Sequence, residues 1–316
     1  MKLLVTAPWV NNYVDRMREE FPQVEFMYHE AKADNIAAAA DAEVIFGPVD
    51  SELFLAAKNV KFIQSASAGV EWMRNAPELA DTEVMVANTR GAHAPTIAEH
   101  TMGMLVFLAR GFDSLYKSQL EHDWQRPVQK TGVGLVGLTM GIIGLGNIGR
   151  AIAKRAQAFD MRVIAIDAHE VPQPDTVTKL GRLDGMPDLI RESDVVVVTV
   201  PITPETRGLI GPDELALLKP DAFLLVVSRG GIIHEPTLVS MLKEGKLAGA
   251  ALDVTETEPL PAESDLWDAP NLFITPHSSP SSKQTHNNVT AIMKDNLRRY
   301  LAGETLNNLV DKKLGY

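Results

Sequence analysis

Apolar and polar positions alternate along this chain in blocks. KLLVT at 2–6, VEFMY at 24–28, EVIFG at 43–47, VKFIQ at 60–64 and VMVAN at 84–88 are apolar runs of strand length. Segments such as NNYVDRMREEF at 11–21 and SELFLAAKN at 51–59 lie between them and read as helices. This alternation predicts a parallel sheet with helices on both faces. TIAEHTMGMLVFLARG at 96–111 predicts a long helix that is apolar nearly all round, and so buried, with a second subunit as one possible cover. The alternation then restarts: TMGIIG, MRVIAID, DVVVVTV, AFLLVVS and LAGAALD read as strands, with NLFITP as a candidate sixth. Unbroken runs such as VVVVTV suit central strands buried on both faces.

After Pro280, Val289, Ile292, Met293, Leu297, Tyr300 and Leu301 recur at helical spacing, with Gly303 as the stop. Two α/β sheets are therefore predicted, with the break near residue 96. The tail is too short for a domain of its own and is expected to pack on the first. That leaves a doubly wound domain, 97–285, inserted within a domain made of 1–96 and 286–316.

Composition narrows the functional classes. The 316 residues carry a formal net charge of −11, which argues against broad binding of nucleic acid or anionic membrane. It leaves room for an anionic small substrate, which needs only local positive charge. There is no cysteine, so disulfides, thiolate metal sites and a cysteine nucleophile are excluded. The start MKLLVTAPWV does not read as a secretory leader, and no apolar run approaches membrane-spanning length. A soluble cytoplasmic protein is expected, with no metal site.

The strongest local motif is MGIIGLGNIGR at 140–150. Gly144, Gly146 and Gly149 follow a strand and open a helix, and the next strand ends in Asp167, about 20 residues on. In that context the first glycine permits a tight turn and the second lets a pyrophosphate approach the backbone. The third lets helix and strand pack closely, with the helix N-terminus facing the phosphates. Asn147 and Ile148 lie inside the same turn. A carboxylate at Asp167 suits the ribose hydroxyls of NAD and repels a 2′-phosphate; Ala168, His169 and Glu170 follow it, with no arginine among them. NAD(H) is the expected cofactor.

Later strands end in chemistry-bearing residues. AFLLVVSRGG ends with Arg229, ALDVTETEPLP with Asp253, Glu256 and Glu258, and ITPHSSPSS with His277. Ligands of open α/β sheets sit at the carboxyl ends of strands. A hydride delivered to a ketone carbon leaves charge on oxygen. A protonated histidine can donate to that oxygen, a carboxylate can stabilise the imidazolium, and an arginine can hold a substrate carboxylate.

With these residues in order, the chain resembles the D-isomer-specific 2-hydroxyacid dehydrogenases over most of its length, most strongly from 135 to 280. LVGLTMGIIGLGNIGRAIAKRAQAF resembles the family's cofactor segment. SDVVVVTVPITPETRGLIG and LLVVSRGGIIHEPTLVSMLKEGKLAGAALDVTETEPLP resemble its next two signatures, and ITPHSSP its catalytic histidine segment. The resemblance implies that Arg229 binds and polarises the substrate. It implies that Glu258, directly before Pro259, pairs with His277 and that Glu256 does not. It places Asp253 near the nicotinamide carboxamide, and Val200, Pro201 and Thr206 in the adenine and phosphate wall. It implies that Ala68, Gly69 and Val70, in SASAGVEWM, offer backbone amides to the substrate carboxylate. The same resemblance implies a flavodoxin-like substrate domain at 1–96 plus 286–316, a Rossmann-type NAD domain at 97–285 and a homodimer joined through the long central helix.

Departures from the family pattern fall beside the expected pocket. Glu71, Trp72 and Met73 replace the usual Asp-Asn-Ile-Asp-like stretch, and Ser278 and Ser279 follow the histidine. Arg90 and His93 lie in the domain crossover. The expected reaction is NADH-dependent reduction of a small 2-oxoacid, of the glyoxylate or hydroxypyruvate type, to a D-2-hydroxyacid. The alternatives are a 3-phosphoglycerate or phosphite dehydrogenase and, in another class, an NAD(H)-sensing interaction protein resembling the C-terminal binding protein corepressors. Formate dehydrogenases resemble a version with glutamine in the place of Glu258.

Overall fold

The computed structural model describes residues 1–15, 17–124 and 132–313. The chain folds as two compact units, Met1–His93 with Ser282–Tyr316, and Ala94–Ser281. The divisions fall at the first residue of a long helix and just ahead of the last helix, rather than inside those helices.

In the first unit the elements run β1 (Lys2–Val5), α1 (Pro8–Val14), α2 (Met17–Glu20), β2 (Glu25–Tyr28), α3 (Lys32–Ala39), β3 (Val44–Phe46), α4 (Ser51–Ala56), β4 (Phe62–Gln64) and β5 (Met85–Ala87). The predicted helix at 11–21 overlaps two short helices, the first opened by Pro8 at a position where its missing N–H costs nothing. All five strands are parallel, in the order β2-β1-β3-β4-β5, the flavodoxin-like order. Strand alternation divides the core in two. Leu3, Val5, Phe46 and Phe62 face one layer, and Leu4, Ile45 and Ile63 face the other.

The second unit runs α5 (Ala94–Ala109), α6 (Phe112–Leu120), β6 (Thr139–Ile143), α7 (Asn147–Ala158), β7 (Arg162–Asp167), β8 (Lys179–Arg182), α8 (Met186–Glu192), β9 (Val195–Val198), α9 (Pro212–Leu215), β10 (Phe223–Val226), α10 (Glu235–Lys243), β11 (Gly249–Leu252) and β12 (Leu272–Ile274). Its seven parallel strands follow the order β12-β11-β10-β9-β6-β7-β8. The order reverses between β6 and β9, the switch point at which doubly wound sheets hold dinucleotides. Val196 and Val198 pack with α8, α9 and α10, while Val195 and Val197 pack with α5 and α7. β8 is an edge strand that the hydrophobic pattern does not reveal. Its sequence KLGR has no apolar run, and it is held by pairing to β7.

The chain returns to the first unit as α11 (Lys283–Ala302). The Ser282 hydroxyl caps it by accepting the Thr285 N–H, and Gly303 ends it in a left-handed conformation at φ 69°. Val289, Met293 and Leu297 are buried against the first sheet, and Leu301 stays exposed. Among the described residues no helix is long and apolar enough to cross a membrane.

Candidate active site

The glycine turn joins β6 to α7. Gly144 has φ 99°, and its carbonyl accepts the Thr199 hydroxyl at 2.6 Å. A Cβ on Gly149 would lie 2.2 Å from the Gly144 oxygen, so only glycine lets the helix sit this close to the strand. At Gly146 nothing lies within 4 Å of where a Cβ would be, and this N-cap residue brings no side chain to the first N–H groups of α7. An open approach to uncapped helical amides fits a pyrophosphate. Val200 closes the far wall against Gly144, and Thr206 ties the following loop to the Pro201 carbonyl at 2.6 Å.

Asp167 ends β7 and engages backbone on both oxygens. It accepts the Leu145 N–H at 2.7 Å and the His169 N–H at 2.9 Å. The carboxylate therefore stands at the glycine turn and braces it. Asn147 and Ile148 form the first turn of α7.

His277 sits two residues past Thr275, at the end of β12, with φ 49°. That left-handed backbone costs a non-glycine residue on the order of 1 kcal/mol. Asp253 holds it in place. Its carbonyl accepts the His277 N–H at 2.8 Å, and its carboxylate accepts the N–H of Ser278 at 2.9 Å and of Ser279 at 3.1 Å. The Thr275 hydroxyl donates to the same carboxylate, and His100 Nε2 lies 3.0 Å from that hydroxyl. The Asp253 side chain is fully buried. A buried carboxylate with this many donors acts as a post around which the histidine loop is wound.

The imidazole itself points its Nδ1 at Glu258, 2.8 Å from Oε2. An ionised carboxylate only accepts, so Nδ1 carries a proton and Nε2 is left for a substrate. The other Glu258 oxygen accepts the Thr255 N–H at 3.2 Å, which fixes the turn. Glu256 enters this arrangement through its backbone, whose N–H donates to the Glu235 carboxylate at 2.6 Å. Neither Asp253's grip on the loop nor Glu235 is visible from local spacing, because each acts on residues about 20 positions away in sequence.

Arg229 follows β10, and its Nη1 donates to the Ser228 carbonyl at 2.7 Å. Gly230 packs directly on the Thr255–Glu256 peptide; a Cβ there would lie 1.8 Å from the Thr255 oxygen. The arginine strand and the Glu258 turn are thus locked together in the second unit.

In the first unit, Ala68, Gly69 and Val70 follow β4. Asn88 donates to the Ala68 carbonyl at 2.9 Å and Ser67 to the Gly69 carbonyl at 2.7 Å. Among the described residues the N–H groups of 68, 69 and 70 have no acceptor. Pinned carbonyls and successive amides without acceptors leave backbone donors of the kind that anion sites use. Trp72 packs into the apolar layer with Leu53 and Phe54, and Arg90 is exposed.

Comparison with known proteins adds to this geometry. The model of the NAD-binding domain of D-isomer specific 2-hydroxyacid dehydrogenase matches residues 102–279. The D-3-phosphoglycerate dehydrogenase of Methanocaldococcus jannaschii is 33% identical over 98% of this chain, and the chain spans 59% of that relative's length. The glyoxylate reductase of Korarchaeum cryptofilum is 32% identical, covering 84% of this chain and 81% of that protein. A solved D-isomer specific 2-hydroxyacid dehydrogenase family protein from Aeromonas salmonicida is similar at a TM-score of 0.87 and 29% identity, over 98% of this chain and 99% of that one.

Proposed function

The chain belongs to the D-isomer-specific 2-hydroxyacid dehydrogenases, and from that premise we propose that it reduces a small 2-oxoacid to a D-2-hydroxyacid with NADH, reversibly, as a homodimer in the cytoplasm. The observation that carries the reading is the Glu258–His277 pair at 2.8 Å, set at strand ends in the same unit as the dinucleotide turn. NAD(H), when bound, supplies or takes up the hydride.

The protein's residues handle the substrate and the proton. The imidazolium of His277 gives its Nε2 proton to the carbonyl oxygen as that oxygen gains charge, and Glu258 holds the ring in the tautomer that allows it. In the oxidative direction neutral His277 takes the hydroxyl proton. Arg229 presents a planar fork to the substrate's carboxylate and carbonyl, and polarises the carbonyl. The free amides of Ala68, Gly69 and Val70 are assigned to the substrate carboxylate. Asp167 accepts from the ribose hydroxyls, which favours NADH over NADPH. Asp253 acts at the nicotinamide end chiefly by holding the His277 loop.

The small residues of the Ala68–Val70 loop and the similarity to a glyoxylate reductase support substrates of the glyoxylate or hydroxypyruvate type. A phosphorylated 3-carbon acid is the second reading, on the likeness to a D-3-phosphoglycerate dehydrogenase. The homodimer is supported by an exposed apolar stripe on α6, Phe112, Tyr116 and Leu120, four residues apart and so on one side of the helix.

The test is NADH oxidation against a panel of 2-oxoacids, including hydroxypyruvate and its phosphate ester, with NADPH in parallel. Turnover of the small acids supports the first reading and turnover of the phosphate ester alone the second. Tight NADH binding with no turnover on any member overturns both.

A further inference from the structure

Glu235 lies outside the pair that moves the proton, yet it reaches the turn that carries one member. It is the first residue of α10, six residues after Arg229. Its Oε1 accepts the Glu256 N–H at 2.6 Å. Glu258, two residues on, has one oxygen on the Thr255 N–H and the other on His277 Nδ1. Gly230, at the start of the loop that leads to Glu235, packs closely against the same Thr255–Glu256 peptide. The turn is therefore held at one peptide by both the Gly230 packing and the Glu235 carboxylate.

The charges around Glu235 are unbalanced. Burial, and then the like charges of Glu256 and Glu258, raise its carboxyl above the ordinary 4.5, against the pull of the Glu256 N–H. The guanidinium of Arg207 flanks Gly231, beside the Glu256 side chain. His234 precedes it with its ring engaged by Thr237. Burial and like charge thus oppose ionisation here, and the Glu256 N–H favours it.

We propose that Glu235 is a positioning residue for the Glu258–His277 pair: it anchors the Glu258 turn through the Glu256 amide, and its negative charge behind Glu258 favours the protonated imidazole. The inference rests on the acid–base reading of His277 given above.

Two variants separate the parts. Glu235→Ala removes both anchor and charge, and Glu235→Gln keeps an acceptor and removes the charge. Because the folded protein raises this carboxyl, its contribution to stability is present at acid pH and lost as pH rises through the folded pKa. At neutral pH Glu235→Gln is accordingly expected to be at least as heat-stable as the wild type, and its Tm, measured beside the kinetics, separates a functional change from unfolding. For Glu235→Ala we expect kcat with the best oxoacid to fall on the order of tenfold, with the KM for NADH unmoved. For Glu235→Gln we expect most of kcat to remain while the alkaline fall of its pH profile moves to lower pH.

The same shift is read without turnover from the His277 ring resonance in a two-dimensional NMR titration, assigned with His277→Ala. Profiles and ring titration unchanged in both variants overturn the proposal. So does a loss of kcat that follows a lowered Tm with the His277 titration unmoved, which makes Glu235 a structural brace. If the wild type reduces no oxoacid, the functional reading fails, and the ring titration still decides the coupling.

Discussion

Replacing Gly230 with alanine probes how closely the segment carrying Arg229 and the turn carrying Glu258 are built together. The added Cβ would lie 1.8 Å from the Thr255 carbonyl oxygen, 2.2 Å from its carbon and 2.7 Å from the Glu256 nitrogen. These are backbone atoms, so no side-chain rotation relieves the contact. To restore a separation of 3.0 Å, the shortest that real contacts tolerate, the peptide or the glycine must move by about 1.2 Å. Gly230 is not in the left-handed region, so the effect is steric and not conformational.

A displacement of about 1 Å in catalytic geometry costs on the order of 100-fold in rate, or about 2.7 kcal/mol of barrier. Overpacking of this kind destabilises by about 1–3 kcal/mol, which lowers the Tm of a unit this size by about 2–12 °C. The glycine turn and Asp167 lie on other strands, so NADH binding should change by no more than about twofold. The assay is steady-state kinetics with the best oxoacid, beside NADH fluorescence titration and thermal unfolding. A variant that keeps kcat within about twofold of the wild type, with an unchanged Tm, would refute the claim that this packing holds Arg229 and Glu258 in register.

Other expectations follow from the same geometry. His277→Ala should lose turnover by about 10²–10⁴-fold while NADH fluorescence still titrates normally; undiminished turnover rules out its acid–base role. Asp167→Ala should narrow the ratio of kcat/KM with NADH to that with NADPH, and should also lower Tm through loss of the Leu145 and His169 hydrogen bonds. An unaltered cofactor ratio leaves Asp167 with the bracing role alone. Tyr116→Glu with Leu120→Glu charges the exposed α6 stripe and should halve the mass seen by light scattering; an unchanged mass removes that stripe from the interface.

The parts of this fold that are legible in sequence share one property: their signal is local. Runs such as VVVVTV are buried on both faces because β9 lies inside the sheet, and periodicity alone conveys that. The glycine turn is written within eleven residues, strand to helix. β8 escapes periodicity for the complementary reason. KLGR carries no pattern of its own and becomes a strand through its register with β7, where Arg182 pairs with Asp167. The helix expected at 11–21 covers parts of two, α1 and α2, a division the apolar spacing does not mark.

For the candidate site the division is sharper. Three carboxylates, Asp253, Glu256 and Glu258, lie within six residues, and their types and spacing do not distinguish them. Local pattern leaves their roles open, and the family resemblance points to Glu258. In the structure each residue takes a different partner: the Asp253 carboxylate accepts the amides of Ser278 and Ser279, the Glu256 backbone N–H donates to Glu235, and the Glu258 carboxylate meets His277.

The sequence by itself determined an α/β chain with two parallel sheets, a dinucleotide turn and a set of charged residues at strand ends. Only the tertiary structure decided which of those residues touch. Periodicity reports how a residue relates to its own strand or helix, whereas a contact across 20 residues depends on strand order, turn conformation and packing that no short stretch contains.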